Sequence, residues 1–139
     1  MAYDLALPGT AYDDPELGHL SSYYDKSEDR QYFTALDSRD EVLGGAGIAE
    51  YDRDAGVAEL QKVYLSEKAR GQGLGYQLLD QVVQFAQAAG YQTLYLETHH
   101  RLGAAIHLYE KYGFQEIAKP LNQAQHSTMD RFFTLPLSR

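Results

Sequence analysis

Residues 70–75, Arg-Gly-Gln-Gly-Leu-Gly, have the composition and position of an anion-binding loop. They lie between a predicted strand and a predicted amphipathic helix. A helix begins with backbone N–H groups that lack intrahelical acceptors, and this terminus carries the positive end of the helix dipole. Glycines let the backbone turn its amides toward an anion, because no Cβ atom stands in the way. The loop therefore predicts a phosphorylated ligand.

The spacing of the glycines distinguishes three kinds of phosphate-binding loop. A dinucleotide fingerprint requires G-x-G-x-x-G, and Gly71 and Gly73 fit it, but Tyr76 occupies the third glycine position. A Walker A loop requires G-x-x-x-x-G-K-[ST], and no lysine follows a glycine at that spacing. The pattern that remains is R-x-x-G-x-G, formed by Arg70, Gly73 and Gly75.

Hydrophobic periodicity predicts the elements that position this loop. Leu74, Leu78 and Val82 recur every fourth residue and predict a helix that ends near Gly90. A shorter helix is predicted at 103–112, and Asp-Pro-Glu at 14–16 is typical of another helix start. Strands are predicted at 31–36, 41–51, 57–65, 91–97, 114–118 and 129–137. The order predicts an α/β (α+β) fold with a mixed, mostly antiparallel sheet flanked by helices.

Two details of the predicted sheet concern the site. Gly44, Gly45 and Gly47 suggest a bulge or a close backbone approach in the second strand. In the third strand, strict alternation places Val63 on the same face as Glu59. The fourth strand should run parallel to the third, because a helix of about fifteen residues connects them as a right-handed crossover.

The composition argues for one soluble domain, residues 1–139, that binds small molecules. A net charge of −8 opposes binding to nucleic acid or to an anionic membrane. No apolar run approaches the ~18 residues of a membrane helix, and the N-terminus lacks the features of a signal peptide. The absence of cysteine excludes disulfides, thiolate metal sites and a cysteine nucleophile. We therefore expect a cytoplasmic protein.

Together with the loop, three further segments resemble the GNAT superfamily of N-acetyltransferases, whose [QR]-x-x-G-x-[GA] signature binds the pyrophosphate of acetyl-CoA. Residues 58–65, AELQKVYL, resemble the fourth strand of that family, and residues 96–98, LET, resemble the end of its fifth. Residues 105–114, AIHLYEKYGF, resemble its A-x-x-L-Y-E-K-x-G-F segment. The chain departs from the pattern at Leu102, where the family commonly has an asparagine.

The resemblance implies acetyl-CoA as the co-substrate. Its pantetheine arm would lie in a gap between the family's splayed fourth and fifth strands, which correspond here to the predicted strands 57–65 and 91–97. Main-chain groups of Val63 and Leu65 would pair with that arm. The residues that would hold the pyrophosphate are Arg70, Gly71, Gln72, Gly73, Leu74, Gly75 and Tyr76.

Acetyl transfer to an amine requires a neutral amine, a polarised carbonyl and a protonated leaving thiolate. By the family match, Glu59 is the base, acting directly or through water, and burial would have to raise its pKa above about 4.3. Tyr109 occupies the family's tyrosine position, where its hydroxyl would protonate the thiolate. The backbone N–H of Val63 is the expected oxyanion donor.

The residues predicted to contact the acetyl acceptor are Tyr32, Tyr64, Glu97 and His99. His99 and His100 follow the fifth family strand, near the ligand crevice expected of an open α/β sheet. Adjacent histidines on an extended chain point apart, so no metal site is expected.

Two functions remain open from the sequence. One is transfer of an acetyl group from acetyl-CoA to a primary amine of a small molecule, amino acid or peptide, by direct attack in a ternary complex. The other is a catalytically silent acyl-CoA-binding sensor or scaffold. The N-terminal region is shortened relative to the family, with residues 3–7 as a remnant first strand at most. The acceptor side is then either more open or completed by a second subunit, and we expect a homodimer.

Overall fold

The computed structural model describes residues 30–67, 73–122 and 128–137 of the 139-residue chain. The strands in these ranges are β1 Gln31–Leu36, β2 Val42–Asp52, β3 Val57–Leu65, β4 Thr93–Thr98, β5 Gln115–Ile117 and β6 Arg131–Pro136. The helices are α1 Leu74–Ala88 and α2 Gly103–Tyr112. The expectations for residues 3–7 and 14–16, and for Arg70, Gly71 and Gln72 of the loop, lie outside the described residues.

The six strands form one sheet in the order β1-β2-β3-β4-β6-β5. All neighbours are antiparallel except β3 and β4, which run parallel because α1 connects them as a crossover. The predicted mixed, mostly antiparallel α/β fold is thus confirmed. Neither helix in the described ranges combines the length and the apolar composition needed to cross a membrane.

Helix α1 covers one face of the sheet, because its apolar residues recur along one side. It packs across β1, β2 and β3. The rings of Phe33 and Phe85 meet edge to face, with centroids 6.1 Å apart. The buried residues of the helix are Gly75, Leu78, Leu79, Val82 and Ala86. The predicted stop is also observed, since Gly90 has a φ of 90°, a conformation that favours glycine.

Helix α2 packs beside α1 and completes the same core. Its buried residues are Ala105, Ile106 and Tyr109. Gly113 ends the helix with a φ of 124°, and the Phe114 N–H returns to the Tyr109 carbonyl at 3.0 Å. Leu102, which replaces the family's asparagine, is buried in this core, so an apolar contact occupies the position.

Candidate active site

A β-bulge distorts β3 beside the predicted cofactor gap. Gly45 pairs with Tyr64 and Gly47 pairs with Gln61, so β3 has one more residue than β2 in this stretch. Lys62 lies in the bulge and has a φ of 53°. The irregularity predicted from the glycines of β2 is therefore present. The extra residue here belongs to β3, and a second shift, between β1 and β2, leaves Leu43 of β2 as an extra residue directly before Gly44.

The bulge reverses the alternation of side chains along β3. Leu60 belongs to the core beneath α1 before the bulge, and Val63 and Leu65 belong to it afterwards. The prediction that Val63 shares a face with Glu59 is wrong, because one inserted residue exchanges the two faces of the strand.

Tyr32 stabilises the bulge from the far face, by which we mean the sheet face opposite α1 and α2. Its hydroxyl donates a hydrogen bond to the Lys62 carbonyl at 2.9 Å. A Cβ atom on Gly45 would lie 2.6 Å from that hydroxyl oxygen, so a larger residue there would displace the Tyr32 ring. Tyr64 is the register partner of Gly45 and therefore also belongs to the far face. Two of the predicted acetyl-acceptor contacts thus share this face.

Strands β3 and β4 separate soon after they begin. Their ladder has three register pairs, Val57 with Thr93, Ala58 with Leu94 and Glu59 with Tyr95. Beyond these pairs the two strands continue to Leu65 and Thr98 without pairing with each other. This separation is the splay that the family resemblance implies.

Glu59 lies where the two strands separate, on the far face. Its Oε1 accepts a hydrogen bond from the Gln61 side-chain amide at 2.9 Å. Burial raises the pKa of the Glu59 carboxyl above its ordinary value of 4.5, the Gln61 hydrogen bond opposes this, and the charge of Glu97 adds to it. Glu59 therefore meets the condition set for a base, a carboxyl whose pKa is raised by burial.

Glu97 is held beside this point by Tyr95. The two residues are two positions apart on β4, and register places both on the same face as Glu59. The Tyr95 hydroxyl donates to Glu97 Oε2 at 2.8 Å, and Tyr95 is completely buried. A fixed ring therefore determines the position of the Glu97 carboxylate.

Tyr51 and Tyr95 are candidates that the sequence analysis did not identify. Their ring centroids are 4.8 Å apart. Burial raises the pKa of the Tyr51 hydroxyl, and the charges of Glu97 and Glu59 raise it further. Alternation could have identified Tyr95, which lies two residues before Glu97, but not Tyr51, which is the extra residue at a register shift between Glu50 and Asp52.

Tyr109 lies on the opposite side of the sheet, in the core beneath α2. It is 5% exposed, and its ring packs against Phe114 and Phe133 at centroid distances of 5.8 and 6.3 Å. Phe133 pairs with Leu96, which belongs to the part of β4 beyond the separation. Tyr109 therefore approaches the separated part of β4 from the helix side.

Glycine is favoured for different reasons at the two loop positions that the structure describes, Gly73 and Gly75. Gly73 has a φ of 76° and immediately precedes α1. Gly75 is buried, and a Cβ there would lie 2.9 Å from Leu65 Cδ1 and 2.8 Å from Leu108 Cδ2. Gly75 thus permits close packing of α1 on β3 and α2, a role that the anion-binding interpretation did not include.

Leu74 and Tyr76 complete the described part of the loop at the start of α1. Leu74 packs against the core. Tyr76 is 41% exposed, and its ring lies 4.7 Å from that of Tyr112. The Tyr112 hydroxyl donates to Asp80 at 2.7 Å, which fixes this aromatic pair beside the loop.

The rings of His99 and His100 lie together, with centroids 4.3 Å apart. The expectation that they point apart is wrong, because β4 ends at Thr98 and the chain then turns. His100 Nδ1 lies 2.5 Å from Asp130 Oδ2, and potential ligand atoms of the two histidines and Asp130 lie within 4.8 Å of one another. This cluster has the donor types of a metal site.

His99 lies one residue beyond the end of β4 and two residues after Glu97. Its Nδ1 accepts a hydrogen bond from the Arg101 N–H at 3.1 Å. The far-face group near the strand separation consists of Tyr51, Glu59, Tyr95 and Glu97.

Comparisons with known proteins agree with this geometry. A sequence profile described as the acetyltransferase (GNAT) family matches residues 2–114. The uncharacterized N-acetyltransferase YjgM of Escherichia coli (strain K12) is 35% identical over 114 residues, which cover 81% of this chain and 67% of that protein. The IAA acetyltransferase of Azospirillum brasilense is 33% identical over 78 residues, 56% of this chain and 51% of that protein. The chain thus spans between half and two-thirds of the length of these relatives.

Solved structures agree on the fold. An acetyltransferase of the GNAT family from Staphylococcus aureus Mu50 superposes with a TM-score of 0.79 at 23% identity, covering 91% of this chain and 79% of that one. At this level of identity the likeness concerns the fold.

Proposed function

The chain belongs to the GNAT acetyltransferase family, and from this premise we propose that it transfers the acetyl group of acetyl-CoA to a primary amine. The acetyl acceptor is a small molecule, an amino acid or a peptide, and the amine attacks directly in a ternary complex. The observation that carries the proposal is Glu59, a carboxyl with a raised pKa at the point where β3 and β4 separate. A general base belongs at that point if the thioester enters the gap between the strands.

The gap supports acetyl-CoA as the donor. Because β3 and β4 stop pairing after Glu59 and Tyr95, we infer that main-chain groups of Val63 and Leu65 are available to another extended chain. By family resemblance that chain is the pantetheine arm. The start of α1 provides the amides of Leu74, Gly75 and Tyr76 for the pyrophosphate. By the same resemblance, Arg70, Gly71 and Gln72 complete this set.

The chemistry requires that the acceptor nitrogen lose two protons and that the leaving sulfur gain one. Glu59 removes a proton from the acceptor ammonium, directly or through water, and the neutral nitrogen attacks the thioester carbonyl carbon. The backbone N–H of Val63 stabilises the negative charge that develops on the carbonyl oxygen. The carbon–sulfur bond then breaks, the Tyr109 hydroxyl gives a proton to the leaving thiolate, and the nitrogen gives up its second proton, which restores the Tyr109 hydroxyl through solvent. The amide and free CoA are the products.

The acetyl acceptor binds on the far face of the sheet. Glu97 is the carboxylate that attracts the acceptor ammonium, and Tyr95 holds it in place. Tyr64 contributes to the wall of this side. Tyr32 acts by stabilising the bulge at Lys62, because its hydroxyl donates a hydrogen bond to the Lys62 carbonyl. We assign His99 only to the rim of the site.

Thiol release measured over a panel of amines, amino acids and peptides tests the proposal. Release that depends on both acetyl-CoA and an amine supports an N-acetyltransferase. Stabilisation by acetyl-CoA in a thermal-shift assay without turnover of any amine supports the silent acyl-CoA-binding alternative instead.

The single domain over residues 1–139, the homodimer and the cytoplasmic location remain predictions from the sequence. Light scattering at micromolar protein concentration tests the dimer, and a monomer mass contradicts it.

A further inference from the structure

A cavity of about 820 Å³ lies between the β2–β3 turn and the segment Leu121–Asn122. Its volume is in the range typical of small-molecule sites. Its lining residues are Glu50, Tyr51, Asp52, Arg53, Asp54, Ala55, Val57, Leu121 and Asn122. No step of the proposed reaction uses this cavity.

Two tyrosine hydroxyls hold one wall of the cavity. The Asn122 N–H donates to the Tyr51 hydroxyl at 3.0 Å, and the Leu121 N–H donates to the Tyr95 hydroxyl at 3.3 Å. The two rings contact each other, and Tyr95 is completely buried. A rigid aromatic pair on the sheet therefore fixes a segment that otherwise has loop geometry.

The same tyrosine pair connects the cavity to the proposed base. Tyr95 is the register partner of Glu59, and Tyr51 lies two residues after Ala49, which pairs with Glu59 from the other side. The rings of Tyr51 and Tyr95 contact each other at a centroid distance of 4.8 Å, so the pair adjoins Glu59 through Tyr95. The cavity is lined by Tyr51 and by Val57, which lies two residues before Glu59 on β3.

The charges of the lining favour a cationic occupant. The lining has three carboxylates, Glu50, Asp52 and Asp54, and one guanidinium, Arg53. Glu50 is already paired with Arg30 at 2.6 Å and with Arg53 at 3.7 Å. The charge available to an occupant therefore comes from the two aspartates of the turn.

We propose that this cavity is the subsite for the remainder of the acetyl acceptor, that it takes a second ammonium group, and that Tyr51 and Tyr95 are positioning residues for its wall. The preferred acceptor is then a diamine, with one nitrogen at Glu59 and the other near Asp52 and Asp54. This inference rests on the proposed function, because the proposed function identifies the acceptor nitrogen that reacts at Glu59.

The test compares butylamine with 1,4-diaminobutane, which differ in one amino group. Calorimetric titration of the full chain in the presence of CoA measures their affinities without turnover. We expect the diamine to bind about tenfold more tightly, as two weak ion pairs allow. The double variant Asp52→Asn/Asp54→Asn should bind both amines equally. Asparagine keeps the oxygen that accepts the Ala55 N–H, so the turn is retained.

A matched control removes two charges at the other hairpin turn. Asp37→Asn/Asp40→Asn keeps the Asp37 oxygen that accepts the Arg39 and Glu41 N–H groups, and asparagine tolerates the φ of 63° at Asp40. This control should keep the diamine preference. Equal affinity of the unmodified protein for both amines, no binding of either, or an unchanged preference in Asp52→Asn/Asp54→Asn overturns the subsite. Diamine binding with the expected preference but without acetylation of any amine overturns the proposed function instead.

The positioning role is tested separately with Tyr51→Phe, which removes the oxygen that accepts the Asn122 N–H. Affinity for the diamine should fall about fivefold, while the KM for acetyl-CoA stays unchanged. Tyr112→Phe, which loses a hydroxyl bonded to Asp80 away from the cavity, is the matched control and should keep the diamine affinity. An unchanged diamine affinity in Tyr51→Phe, or a parallel loss in all constants, overturns the positioning role.

Discussion

Glu59 and Tyr95 form the last register pair of the parallel strands β3 and β4, and the strands separate immediately beyond them. This relationship places a carboxyl with a raised pKa at the end of the gap. It also places a buried tyrosine, whose hydroxyl holds Glu97, on the neighbouring strand.

Replacement of Glu59 by glutamine should abolish most of the activity. The glutamine retains an oxygen for the Gln61 amide but cannot accept the proton of the acceptor ammonium. We expect kcat to fall by about 10²-fold or more, the usual contribution of a general base. Thiol-release kinetics measure this, with Glu110→Gln, an exposed glutamate of α2, as the control. A loss of less than tenfold would remove Glu59 from the role of base.

The same substitution should stabilise the fold at neutral pH. Because the pKa of Glu59 is raised in the folded state above 4.5, the unfolded chain loses its proton first as pH rises. The unmodified protein therefore loses stability relative to Glu59→Gln between pH 4.5 and the folded pKa, and the difference persists above it. Thermal unfolding at pH 4 and pH 8 checks this. A higher melting temperature for the unmodified protein at pH 8 would be the contrary result.

Tyr109→Phe should reduce kcat while leaving acetyl-CoA binding nearly unchanged. The ring keeps its packing against Phe114 and Phe133, and only the proposed proton donor is lost. We expect a loss of about tenfold to 100-fold in kcat. Tyr112→Phe, on the same helix, should keep full turnover despite losing its bond to Asp80. Full turnover in Tyr109→Phe would show that another group protonates the thiolate.

Much of the fold was accessible from the sequence because local signals agreed with it. The spans of β1, β3 and α2 were predicted as observed, and the glycines after both helices ended them as expected. The sheet face on which Val63 lies differs from the prediction, because that face depends on the bulge at Lys62, which a strict period of two does not reveal. The rings of His99 and His100 were misplaced for a similar reason, since the end of β4 is set by pairing with β6.

The candidate site was only partly accessible from the sequence. Glu59 and Tyr109 lie in segments that match a family pattern. Tyr51 and Tyr95 carry no such pattern, and their importance comes from contacts with Asn122 and Leu121, 71 and 26 residues away in the chain. Long-range hydrogen bonds of this kind do not follow from periodicity.

Gly75→Ala should destabilise the protein, because a Cβ there would clash with Leu65 and Leu108. A cost of about 1–3 kcal/mol is typical of overpacking in a close contact. Gly103→Ala is the matched control, since nothing lies within 4 Å of its Cβ position. Urea unfolding compares the two variants. Equal stability of Gly75→Ala and Gly103→Ala would contradict the packing role of Gly75.

The most direct test of the central claim is mass spectrometry of amines incubated with acetyl-CoA and the purified chain, alongside Glu59→Gln. We predict that a primary amine gains one acetyl group, that one CoA is released for each product molecule, and that Glu59→Gln forms little product. Binding of acetyl-CoA without an acetylated product from any amine of the panel would contradict the claim.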